Sequence, residues 1–77
     1  MARHWSEYAR PGLTSRQVQV LDRWADGLDI GDGLDLLALA NGLSRSKAAR
    51  QVANRFAAQR MMDAAVQLVR EREGGAE

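Results

Sequence analysis

From Arg45 to Arg72 the chain contains neither glycine nor proline, and this run does most to decide what the sequence can fold into. Strands need period-two alternation of β-branched and aromatic residues bounded by turn signals, and no segment sustains that pattern. The 77 residues therefore read as one small all-α domain. A chain of this size buries only about 60% of its unfolded surface. It has no cysteine, so neither a disulfide nor a thiolate zinc site can reinforce it. Hydrophobic residues at 45%, charged residues at 27% and a single proline describe a folded chain and not a disordered one. One histidine and no cysteine leave little material for catalysis, so no enzyme, cofactor or metal is expected. No apolar run approaches the roughly 20 residues of a membrane span, and MARHWSEYAR lacks the apolar centre of a signal peptide. The expectation is a cytoplasmic protein that does not enter membranes.

Punctuation divides the rest. Residues 1–12 read as a short helix over Ala2 to Arg10, with Trp5 and Tyr8 on one side, or as a flexible arm; Pro11 and Gly12 end it. Thr14 with Gln17 forms a capping-box pattern. Val18, Leu21, Trp24, Ala25 and Leu28 then recur at helical spacing, which predicts a helix over Ser15 to Asp26 closed by Gly27 in the left-handed conformation. A short helix is expected from Leu34 to Ala40 on Leu34, Leu37, Ala38 and Leu36, ended by Asn41 and Gly42. Ser44 suits the next N-cap. Beyond it, helix could run almost unbroken to Arg72, or Asp63 could cap a separate last helix after Met61 and Met62. The domain proper is expected at 13–73, with the GGAE end (74–77) disordered.

Charge is unevenly placed. Asp22 to Asp35 holds five aspartates against Arg23, whereas Leu43 to Met62 holds Arg45, Lys47, Arg50, Arg55 and Arg60 and no acid. The acidic stretch lacks the alternating ligands and final glutamate of an EF-hand loop. Asp32 is better read as a helix cap and the other acids as solvated.

The informative element is the helix pair joined at Asn41-Gly42-Leu43-Ser44. In a helix-turn-helix a small residue lets the helices approach and a glycine four positions on makes the turn. Ala38 and Gly42 hold that spacing, and Ala48 follows where a small residue would seal the pair. Projected at 100° per residue, Ala48, Ala49, Val52, Ala53 and Phe56 face the core. Ser46, Lys47, Arg50, Gln51 and Asn54 fall opposite. Lysine and arginine bond guanine, and glutamine and asparagine pair with adenine, so these five are the candidate groove-facing residues, with Ser44 capping their helix. The alternative is a merely solvated polar face.

The string LALANGLSRSKAARQVANRF looks like the helix-turn-helix of many bacterial regulators. Upstream, LTSRQVQVLDRWADGL resembles the opening helix of LuxR/GerE-type DNA-binding domains, through Leu13, Thr14, Arg16, Val20, Leu21, Ala25, Gly27 and Leu28. Asp63-Ala64-Ala65-Val66 is similar to the start of that family's fourth helix. The likeness spans about Leu13 to Glu71. It departs at about four extra residues between Gly27 and Ala38, at Lys47-Ala48 where the family has Thr-Val, and at Arg60-Met61-Met62, which lacks a separating glycine. The resemblance implies four helices, the third in the major groove and the fourth often used for dimerisation.

Thr14, Arg16 and Arg60 are candidates for phosphate contact, or a cap and two solvated charges. Arg3 and Arg10 could reach a minor groove. His4 reads as a surface residue and Trp24 as core. Met61, Met62, Val66 and Val69 form a stripe that completes the core or joins a homodimer. The resulting expectation is sequence-specific binding of double-stranded DNA by a small bacterial or phage transcriptional regulator. One alternative is an accessory protein of DNA packaging, partition or recombination. Another is a protein-interaction module that docks on RNA polymerase or another partner through the acidic loop.

Overall fold

A computed structural model describes residues 4–7, 9 and 12–74. They form a single 3-10 turn (Trp5–Glu7) and four α-helices: α1 (Ser15–Gly27), α2 (Gly33–Asn41), α3 (Arg45–Val52) and α4 (Arg55–Gly74). No strand occurs among the described residues. The fold is the small all-α bundle of four helices that the sequence predicts. Tyr8, Arg3, Arg10 and residues 75–77 lie outside the described residues.

Helix α1 starts on the expected capping box. The Thr14 Oγ1 accepts the Gln17 amide at 3.1 Å, and the Thr14 amide donates to Gln17 Oε1 at 3.0 Å. Val18, Leu21 and Ala25 turn into the core, while Trp24 and Leu28 are half-buried against it. The end of α1 differs from expectation. Gly27 stays within the helix, and Asp29 takes the left-handed conformation at φ 58°. The Ile30 amide then reaches the Ala25 carbonyl at 2.8 Å and the Asp29 amide reaches that of Asp26 at 3.2 Å. This closure lays the residue after the left-handed one against the helix. Ile30 packs on the core from that position, so its burial outweighs the preference for glycine two residues earlier.

Helix α2 is the centre of the bundle and touches the other three helices. Leu34, Leu36, Leu37 and Ala38 are all buried, and a short helix apolar around most of its girth must be enclosed by others. Asp32 caps it as expected, accepting the Asp35 amide at 2.9 Å. Gly33 lies so close to α1 that a Cβ there would sit 2.5 Å from the Trp5 ring and 2.8 Å from Leu21 Cβ. Asp22 ties this junction together: its Oδ1 accepts the Trp5 indole N–H at 2.7 Å and the Gly33 amide at 2.8 Å. His4 is exposed, as expected, and its Nε2 pairs with Asp22 Oδ2 at 2.9 Å.

The second half of the chain breaks earlier than either sequence-based alternative. Helix α3 stops at Val52, and Asn54 caps α4, its Oδ1 accepting the Phe56 and Ala57 amides at 2.9 and 3.1 Å. Asp63 caps nothing; α4 passes through Met61, Met62 and Asp63 without interruption. The break also resets the helical phase. Continued from α3, Phe56 would follow Val52 into the core, but in α4 it is 82% exposed and Ala58, Met61, Ala65 and Val69 face inward instead. The methionine–valine stripe thus closes the chain's own core through Met61 and Val69, with Met62 and Val66 half-buried.

Candidate nucleic-acid interface

Helices α2 and α3 meet through the tight turn the spacing predicts. Gly42 is left-handed at φ 65°, and the Leu43 amide reaches back to the Ala38 carbonyl at 2.9 Å. Ala38 and Ala48 are both buried, which lets the two helices approach closely. Asn41 adds a tie the sequence did not suggest: its Nδ2 donates to the Leu37 carbonyl at 2.8 Å and to that of Met61, on α4, at 3.3 Å. The pair is thereby anchored to the longest helix.

The outer face of α3 carries the expected side chains. Ser46, Lys47, Arg50 and Gln51 are exposed, whereas Ala48 and Val52 are buried and Ala49 is half-buried. Among the described residues, the Lys47, Arg50 and Gln51 side chains have no internal hydrogen-bond or ion-pair partner. Their donors are therefore available to a ligand. Ser44 is exposed but occupied as the cap, accepting the Lys47 amide at 3.2 Å, and it sits 3.3 Å from the Ser46 hydroxyl. Asn54 is exposed as well, yet it lies beyond the end of α3 and its carbonyl oxygen is taken up capping α4.

The start of α1, the end of α3 and the first half of α4 converge. Gly12 is buried against the Val52 carbonyl, and a Cβ on Gly12 would also lie 3.1 Å from Ala58 Cβ. Gln17 Nε2 approaches Gln59 Oε1 at 3.5 Å. Thr14, Arg16 and Arg60, three candidates distant in sequence, are accordingly gathered at this end of the bundle, and all are exposed. Arg55, part of the basic run but not selected from sequence, is exposed at the same junction.

The opposite end of α3 is electrostatically different. Arg45 Nη1 bonds Asp32 Oδ1 at 2.8 Å and Asp35 Oδ1 at 2.7 Å, and its Nη2 bonds Asp32 Oδ2 at 3.0 Å. Burial pushes the Asp32 carboxyl up, but the guanidinium and the Asp35 and Leu34 amides outweigh it and hold the group below its ordinary 3.8. Hydrogen bonds to Asp32 and then Asp35 push the Arg45 pKa up, so it stays charged. Two carboxylates share one guanidinium here, and the exposed Lys47 stands as a further cation in the same first turn of α3. The exposed cations Arg55, Arg60 and Arg16 lie toward the other end, and Arg50 lies between, lining one hollow with Ser44 and Arg45. Sequence reasoning missed this clamp, although Asp32 and Asp35 stand at the cap and third position of α2, where both point back past its N-terminus.

Much of the acidic stretch is thus structural. Asp22 staples Trp5 to Gly33, and Asp32 and Asp35 hold Arg45. Among the described residues no three side chains of the metal-binding types converge on one point, and no helix is long and apolar enough to cross a membrane. Set against protein-family models, curated proteins and solved structures, the chain gives no match.

Proposed function

We propose that the chain binds double-stranded DNA through α2 and α3, with α3 in the major groove, and acts as a small transcriptional regulator of the LuxR/GerE-like kind. The observation that carries this reading is the exposed, internally unpartnered set Lys47, Arg50 and Gln51 on the helix that follows a left-handed glycine turn. A recognition helix occupies that position in helix-turn-helix proteins. Arginine, lysine and glutamine have the donors that read guanine and adenine edges. Thr14, Arg16, Arg55 and Arg60 would hold phosphates beside it and set its register. The extra residues before α2 are compatible with this arrangement, because they supply the cap of α2 and the clamp on Arg45. An acidic docking surface is the weaker reading, since Asp22, Asp32 and Asp35 are engaged internally. A homodimer formed through α4 would have to draw on Met62 and Val66, the half-buried members of its stripe.

Fluorescence anisotropy with mixed-sequence duplexes across a salt series tests the proposal. Affinity is expected to fall by about 0.9 log units per phosphate contact for each tenfold rise in salt. Lys47→Ala combined with Arg50→Ala is expected to weaken binding and flatten that slope while the fold persists. Absence of duplex binding at low salt refutes the proposal. Selection of preferred sites then separates a regulator, with a promoter-proximal target, from an accessory protein that favours a replicon end or attachment site.

A further inference from the structure

Phe56 is the most exposed large hydrophobic residue described, at 82% against 52% for Leu39. Scattered exposed apolar residues are ordinary, but this ring has unusual company. It stands in the first turn of α4, just past the end of α3. Arg55 precedes it, and Arg60 follows one turn later on the same helix face, the spacing at which side chains are neighbours. Arg50 and Gln51 lie in the last turn of the helix before it, and the first acid after Asp35 is Asp63, one turn beyond Arg60. Ala58, Met61 and Ala65 hold α4 against the core from its opposite side, so no movement of the helix is needed to present the ring.

A second copy of the chain is a poor occupant for this patch. A two-fold contact places the same patch on both partners, so pairing at Phe56 would bring two net-positive patches together, Asp63 offsetting only one of Arg55 and Arg60 in each. A duplex offers the complement, phosphates for the guanidinium groups and apolar base faces for the ring. We infer that Phe56 is an apolar wedge: its ring enters a base step at the edge of the groove occupied by α3, while Arg55 and Arg60 hold the flanking phosphates. This inference rests on the DNA-binding reading above. Apolar side chains that enter a base step from the minor groove unstack it and kink the duplex, and the same unstacking is expected of a ring that enters beside α3. Pyrimidine–purine steps yield most readily, so the bound DNA is bent and the protein favours TA and CA steps at a position α3 does not read.

The test uses the full chain, Phe56→Ala and Phe56→Leu, on duplexes that differ only in carrying TA, CA or AA steps. Base unstacking is read from 2-aminopurine fluorescence and bending from energy transfer between end labels. The wild type is expected to bend the duplex and brighten the probe at one step. Phe56→Ala should lose both signals and bind about tenfold more weakly, the scale of one aromatic–base stack, and Phe56→Leu should keep part of each. The salt slope should not change, because the ring neutralises no phosphate. Since the ring lies outside the core, helicity and the urea midpoint should match the wild type. Equal affinity and bending in Phe56→Ala overturns the wedge. A drop in sedimentation mass that accounts for the lost affinity also overturns it, by assigning the ring to a contact between copies. Wild-type protein that binds no duplex removes the DNA-binding reading itself; wild-type binding with an unaffected Phe56→Ala removes the wedge alone.

Discussion

Replacing Asp22 with alanine should be among the most damaging single changes to the fold. A domain of this length is stable by about 4–12 kcal/mol, at roughly 0.05–0.15 kcal/mol per residue. The Asp22 carboxylate serves two donors at the junction of the 3-10 turn, α1 and α2: the indole N–H of Trp5, a residue only 2% exposed, and the amide of buried Gly33. Leaving a buried donor unpaired costs about 1–3 kcal/mol. The Asp22 side chain is itself 33% exposed, so water recovers part of the loss, and about 2–5 kcal/mol is expected for Asp22→Ala. Asp22→Asn keeps an acceptor at Oδ1 and forfeits the charge assistance and the exposed Oδ2 contact with His4 Nε2, which sets its cost near 1 kcal/mol. Urea titration followed by far-ultraviolet circular dichroism measures both, with tryptophan fluorescence as a second probe of the Trp5 environment. In the Trp5→Phe background the alanine change should cost about 1 kcal/mol less, because one donor is already gone. The reasoning is refuted if Asp22→Ala lies within about 0.5 kcal/mol of wild type, the range of an ordinary surface change, or if asparagine is as harmful as alanine.

Three further outcomes follow from the same geometry. Gly42→Ala meets nothing within 4 Å but must hold φ near 65°, so a thermal melt should show a loss of about 1–2 kcal/mol from backbone strain alone. Gly33→Ala is the contrasting case, with no left-handed strain but a collision with the Trp5 ring and Leu21. Overpacking of this kind costs about 1–3 kcal/mol, and restoration by a smaller side chain at position 5 would identify the cause. Asp32, whose carboxyl is held below 3.8, contributes stability that is fully present above that value and is lost as pH falls through its lowered folded-state pKa. Arg45→Ala should therefore lower stability at neutral pH by under about 1 kcal/mol and reduce the loss between neutral and acid pH. Parallel acid titrations of the variant and wild type would contradict the clamp.

Local chemistry was legible where a residue acts on its own helix. Thr14 with Gln17, Asp32 and Ser44 all cap the helices their spacing indicates, because a cap needs only a side-chain oxygen and an amide two or three residues on. Gly42 turns left-handed where expected, since Leu43 and Ala38 complete the closure from nearby positions. The failures share a different cause. Gly27 was locally suited to end α1, but the core contact of Ile30 moved the closure to Asp29. Asn54 fits both an outward-facing helical position and an N-cap, and periodicity alone does not choose between them. Its capping role turned Phe56 from an expected core residue into the most exposed large apolar side chain described.

The sequence by itself determined the all-α class, the α2–turn–α3 pair and the exposed Ser46, Lys47, Arg50 and Gln51. Each of these depends on spacing within one helix or across one short turn. Only the tertiary structure decided which charges are free. The pairing of Arg45 with Asp32 and Asp35 spans 13 and 10 residues, and the Asp22 staple to Trp5 spans 17. Helical periodicity carries no information over such separations, because the packing angles between helices set which side chains meet. The same packing brings Thr14, Arg16 and Arg60 to the C-terminal end of α3, away from the Arg45 clamp. Which cations the candidate DNA-binding face leaves unpaired is therefore a property of the folded bundle.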